Sequence, residues 1–137
     1  MSAKDTYHDA VRSALVKDGW TITDDPFRLV WGKRDFYVDL GAERVVAAEK
    51  AGKRIAVEVK SFKSASQMHD LEVALGQFLL YRSILEEQEP DRVLFLAIPN
   101  EPAKVLDEPI GRLLIGKHLI QAVVFDPVKE EILRWIP

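Results

Sequence analysis

A chain of 137 residues, 47% hydrophobic and 30% charged, holds enough apolar material for one core and too little for two. Zero cysteines exclude a disulfide framework and thiolate zinc sites, and the three histidines, His8, His69 and His118, are scattered without metal-ligand spacing. A net charge of −3 argues against gripping nucleic acid by overall charge, so any DNA contact must be local.

In chain order, Val11, Ala14 and Leu15 fall at helical spacing between Asp5 and about Lys17, and Asp18-Gly19 supplies the stop. Short strand-like runs follow at Trp20 to Thr23, Leu29 to Trp31, Asp35 to Leu40, Val45 to Glu49 and Arg54 to Phe62, punctuated by Asp-Pro, Gly-Lys and Ala-Gly-Lys. They predict an antiparallel meander. Ser66 to about Glu87 carries Leu71, Ala74, Leu75, Phe78 and Leu79 at three- and four-residue steps, a long helix with a polar cap. Arg92 to Ile98, RVLFLAI, is nearly continuous apolar sequence, the pattern of a central strand buried on both faces. A short helix at Ile110 to Lys117 and strands at Ala122 to Phe125 and Ile132 to Ile136 complete the order. The reading is a single domain over residues 1–137, α/β (α+β), with a mixed central sheet flanked by helices. No apolar run reaches the length of a membrane span and the N-terminus lacks a signal-peptide layout, so a cytoplasmic protein without membrane contact is expected.

The stretch RIAVEVKSF, residues 54–62, places charge on a strand. Side chains alternate faces, so Glu58 and Lys60 point one way while Ile55, Val57 and Val59 point the other. Asp39 stands at the end of the Asp35 to Leu40 run, before Gly41. If the two strands adjoin, Asp39 and Glu58 converge, and paired hard carboxylates are the usual protein share of a Mg²⁺ or Mn²⁺ site. Metal-assisted phosphodiester hydrolysis also needs an activated water and neutralised phosphate charge, for which a lysine on the same face is suited. E-x-K by itself equally describes a solvated strand. The cluster of Lys53, Arg54 and Lys63 is a candidate nucleic-acid contact, or else the charged rim that protects a hairpin edge. Tyr81, one turn after Gln77, reads as core, and His8, beside Asp9, as a surface histidine.

The order of a helix, an isolated Asp, a hairpin, E-x-K and then a helix carrying Gln77 resembles the PD-(D/E)XK nuclease core, or restriction-endonuclease-like fold. That resemblance implies Asp39, Glu58 and Lys60 as its catalytic set, with Gln77 orienting the site and Asp9 as an additional metal ligand; Val38 stands where the motif has proline. The strings AKDTYHDAVRSALVKDGWTITDDP, YVDLGAER, AVEVKSF and ALGQFLLYRSILEEQEPDRVLFLAIP further resemble the XisH family, the fdxN element excision controlling factors of cyanobacteria. It implies a role in site-specific DNA recombination during heterocyst development, alongside the companion factor XisI and a recombinase. The expected partners are DNA and these proteins, the expected cofactor Mg²⁺ or Mn²⁺. Because one acidic domain would hold a duplex poorly, a homodimer or a heteromeric complex is expected to complete the DNA-binding surface.

Overall fold

A computed structural model of the protein describes residues 6–44 and 52–137. Helix α1 (His8–Lys17) buries His8, Ala10, Val11, Ala14 and Leu15 and ends at Gly19, whose φ of 98° belongs to the left-handed region. Strands β1 (Thr21–Asp24), β2 (Phe27–Trp31), β3 (Arg34–Val38), β4 (Leu40–Arg44) and β5 (Lys53–Val59) follow. Helix α2 (Gln67–Gln88) starts where the Ser66 hydroxyl accepts a hydrogen bond from the His69 amide at 3.2 Å. Then come β6 (Arg92–Pro99), a short 3-10 helix (Pro102–Asp107), α3 (Pro109–Gly116), β7 (Ala122–Asp126) and β8 (Glu131–Ile136).

Six strands form one mixed sheet in the order β1-β4-β5-β6-β7-β8, with β5, β6 and β7 parallel and the remaining pairs antiparallel. The expected α/β architecture is therefore present, with β6 central as its apolar run requires. The meander is not. β2 and β3 pair only with each other, in a separate hairpin whose Phe27, Leu29 and Val38 pack into the core beside α2. The run read as one strand from Asp35 to Leu40 is broken at Asp39, where the chain leaves the hairpin and enters the main sheet. Two sheets competing for adjacent segments produce that break; alternation of side chains cannot reveal it. The strand expected at Val45 to Glu49 lies outside the described residues, as does Asp5 of the first helix.

The sheet separates two apolar layers. Leu71, Phe78, Leu94, Leu96 and Ile98 pack on the α2 side, while Val11, Leu15, Ile55, Val57, Val59 and Phe125 pack under α1. Alternation along β5 puts Ala56 in the first layer and its neighbours Ile55 and Val57 in the second, as a strand of period two requires. Gly41 permits a close approach: a Cβ there would stand 2.9 Å from both Asp24 Oδ2 and Phe27 Cδ2. The absent side chain thus lets the hairpin close over the start of β4, next to Asp39.

Arg92, only 8% exposed, ties these layers together. Its Nη1 donates to the Ile55 carbonyl at 2.9 Å, its Nε to Glu89 Oε1 at 3.1 Å, and its guanidinium lies 4.4 Å from the centre of the Phe27 ring. Arg92→Met keeps much of the packing but leaves the Ile55 carbonyl without this donor and Glu89 with Arg54 alone. Urea denaturation is expected to show a loss of about 2–3 kcal/mol, below the full cost of breaking a buried pair because Glu89 is partly hydrated.

Candidate active site

Glu58, near the C-terminal end of β5, is 7% exposed, and Asp39 sits at the junction between β3 and β4. Antiparallel pairing sets Leu40 opposite Val57, which brings the residues just before β4 and just after Val57 side by side. The two acids then lock each other's backbones. The Asp39 amide donates to Glu58 Oε1 at 3.3 Å, and the Val59 amide donates to Asp39 Oδ2 at 2.7 Å. Lys60 Nζ lies 3.6 Å from Glu58 Oε2.

The electrostatics describe a site short of positive charge. Burial first, and then the Asp39 charge, push the Glu58 carboxyl up to about 8, only partly offset by Lys60. Burial also raises Asp39, against the opposing effect of the Val59 amide. Tyr81 is held up by burial and by the fields of Glu58 and Asp39, which makes it part of the same electrostatic environment, with its ring packed 6.3 Å from that of Phe36. Gln77 stands one helical turn before Tyr81 on α2, and its Oε1 is buried without a hydrogen-bond partner.

The first helix offers a different residue from the one expected. Asp9 is exposed, whereas His8 is 3% exposed and directed at the cleft, its Nδ1 3.9 Å from Asp39 Oδ1. His8 Nε2 is 2.7 Å from Asp25 Oδ1, and Arg12 donates to the other oxygen of Asp25. Burial alone would raise Asp25, but His8 and Arg12 outweigh it and hold the carboxyl below its ordinary value. The signal was present in the sequence: His8, Val11 and Leu15 recur at three and four residues, so they share the buried stripe, and Asp9 lies about 100° around from His8.

The candidate DNA-contact residues separate. Lys63 lies beyond Lys60, over the Tyr7 ring at 4.6 Å, and it lines a hollow of about 430 Å³ with Lys60, Phe62, His69 and Asp70. Phe62, with φ 56°, turns the chain there. Lys53 and Arg54 instead begin β5, so about five residues of extended chain, roughly 17 Å, separate Lys53 from Glu58. They line another hollow of about 550 Å³ with Trp20, Phe95 and Trp135, and Arg54 is paired with Glu89 at 3.1 Å.

Two adjoining carboxylates, one buried and one half-buried, a lysine beside them and an amide oxygen without a partner suit a hard divalent ion. Among the described residues, no group of three or more His, Asp or Glu side chains is already drawn together around one point. Among the same residues, no helix is long and apolar enough to cross a membrane.

Comparison with known proteins gives consistent relationships. The family model described as XisH protein matches residues 1–133. The structure is similar to that of an XisH family protein from Nostoc punctiforme, with 36% identity, a TM-score of 0.86, and coverage of 97% of this chain and 100% of that one. It is also similar to a fdxN element excision controlling factor protein from Anabaena variabilis, with 39% identity, a TM-score of 0.85, and coverage of 98% and 100%. No curated protein matches the chain.

Proposed function

The chain belongs to the XisH family, and from that premise and the geometry of its carboxylate cleft we propose that it controls excision of a DNA element as a divalent-metal-dependent endonuclease. The observation that carries the reading is the pairing of buried Glu58 with half-buried Asp39, with Lys60 Nζ 3.6 Å from Glu58. A solvated strand end does not set a buried carboxyl against a second one, because an uncompensated buried carboxylate is costly. The arrangement supports a restriction-endonuclease-like, PD-(D/E)XK reading, in which we assign the catalytic roles to Asp39, Glu58 and Lys60.

Asp39 and Glu58 would hold Mg²⁺ or Mn²⁺. The bound ion would supply Lewis-acid polarisation of the phosphate and a more acidic water. Lys60 orients the attacking water or takes up charge on the scissile phosphate, and its ammonium is already held on the cleft side by Glu58. The amide of Gln77 offers its unpartnered oxygen to that water or ion. Lys63 contacts the phosphate backbone next to the cleft. Lys53 and Arg54, at the far end of β5, are assigned to a second stretch of DNA, reached once a homodimer extends the surface. In the cell the protein would work with XisI and a site-specific recombinase, in excision during heterocyst development.

One feature favours a second reading. The net charge of −3 is poorly suited to holding a duplex unaided, which fits an accessory factor that directs the recombinase without cutting. The two readings part in one experiment: purified protein, with and without its companion factor, is incubated with supercoiled plasmid and with branched DNA in Mg²⁺, Mn²⁺ or EDTA. Cleavage in either metal and none in EDTA is the expected result. Binding without cleavage in every condition would transfer the function to the accessory role.

A further inference from the structure

Among the described residues only two buried side-chain polar atoms have no hydrogen-bond partner, Gln77 Oε1 and His8 Nδ1. Natural structures leave few such atoms, and each calls for an explanation. Gln77 was already assigned to the cleft; His8 was not. We propose that His8 is a third protein ligand of the cation held by Asp39 and Glu58, coordinating through Nδ1, so that the site is one histidine and two carboxylates.

This inference rests on reading Asp39 and Glu58 as a metal pair, and three observations carry it further. First, the Asp25 carboxylate accepts at His8 Nε2, 2.7 Å away. A carboxylate is acceptor-only, so the ring proton resides on Nε2 and, in the neutral imidazole, Nδ1 presents a lone pair. Second, Nδ1 lies 3.9 Å from Asp39 Oδ1, too far for a hydrogen bond. Nitrogen and oxygen ligands each sit about 2.0–2.2 Å from a first-row ion, so two of them are roughly 3 Å apart at right angles and roughly 4 Å apart when they face each other across the ion. The gap is therefore of the size an ion would occupy. Third, a ligating histidine characteristically gives its other ring N–H to a carboxylate that fixes tautomer and orientation. Asp25, braced by Arg12, stands in that place.

An imidazole ligand changes which ion is preferred. Carboxylate and water suit Mg²⁺ and Mn²⁺ alike, whereas a nitrogen ligand shifts affinity toward transition metals. Mn²⁺ should therefore bind more tightly than Mg²⁺, and His8→Gln should narrow the difference.

The test uses the full-length protein with Mn²⁺ alone. Binding is titrated by electron paramagnetic resonance, and pulsed measurements detect ¹⁴N nuclei coupled to the bound ion. The wild type should show imidazole nitrogen coupling, and His8→Gln should lose it with about a tenfold weaker Mn²⁺ affinity. Asp25→Asn should keep the coupling and weaken affinity by about tenfold, the usual size of an outer-shell effect. Because His8 is buried, its variant could fail to fold; the wild-type spectrum and Asp25→Asn then decide the matter. Mn²⁺ bound to the wild type without nitrogen coupling, or coupling that survives His8→Gln, would overturn the role of His8 and leave the carboxylate pair standing. No Mn²⁺ binding by the wild type would remove the metal site altogether.

Discussion

Glu58→Ala is expected to abolish metal-dependent DNA cleavage, by at least about 10²-fold, while the protein remains folded. Glu58 is asked to do two things in the cleft: contribute an anionic oxygen to a cation, and hold Lys60 at 3.6 Å. Both bear on charge that develops at phosphorus, and loss of one preorganised charge-stabilising group costs about 10² to 10³ in rate. Folding should survive because the side chain removed is one that burial and Asp39 disfavour in its ionised form. Circular dichroism and thermal melting, run beside plasmid-nicking and branched-DNA assays, separate the two effects. Lys60→Met should lose cleavage and retain divalent-cation binding, since the lysine is not a ligand. A Glu58→Ala protein that cuts as fast as its parent would remove the cleft from the chemistry.

The second large effect is on stability, and it follows from the same pair. A carboxyl whose folded value lies near 8 and whose ordinary value is 4.5 is protonated in the native state over a range where the unfolded chain has already released its proton. The native state binds more protons there, so stability falls as pH rises from about 4.5 toward 8, and is fully available only below that interval. Each unit of difference is worth about 1.4 kcal/mol, and Asp39, also raised, adds in the same direction. In EDTA the expected loss across the interval is on the order of 3 kcal/mol, or roughly 10 °C in Tm. Mn²⁺ would bind the doubly ionised pair and should reverse that slope, because a ligand of the native state stabilises by RT ln(1 + [L]/Kd). Scanning fluorimetry from about pH 5 to about pH 8.5, with and without Mn²⁺, measures both, and Glu58→Gln should flatten the EDTA curve. An equally flat curve for the wild type in EDTA would show that the pair is not electrostatically frustrated.

Much of this architecture can be read directly along the chain. The unbroken run RVLFLAI predicts a strand buried on both faces, and β6 is central with parallel neighbours. The polar cap at Ser66 and the apolar steps from Leu71 onward set α2 to within a residue or so of its ends. Alternation along RIAVEVKSF separates Glu58 and Lys60 from Ile55, Val57 and Val59, and the latter three pack under α1. The 3-10 helix at Pro102–Asp107 went unread, since one short turn carries too little periodicity to register.

By itself, then, the sequence determined most of the local terms: where the longer helices and the central strands fall, which face of β5 is apolar, and that Glu58 and Lys60 share a side. Those follow from periods of 2 and 3.6 residues and from cap and turn chemistry, which act between near neighbours. Only the tertiary structure decided the nonlocal ones: that β2 and β3 leave the main sheet, that the chain breaks at Asp39 and sets it against Glu58, and that Asp25 reaches back 17 residues to hold His8 rather than Asp9 toward the cleft. Strand pairing and the meeting of distant side chains depend on which of several similar apolar surfaces pack together, and that choice belongs to the whole core, not to any one segment of it.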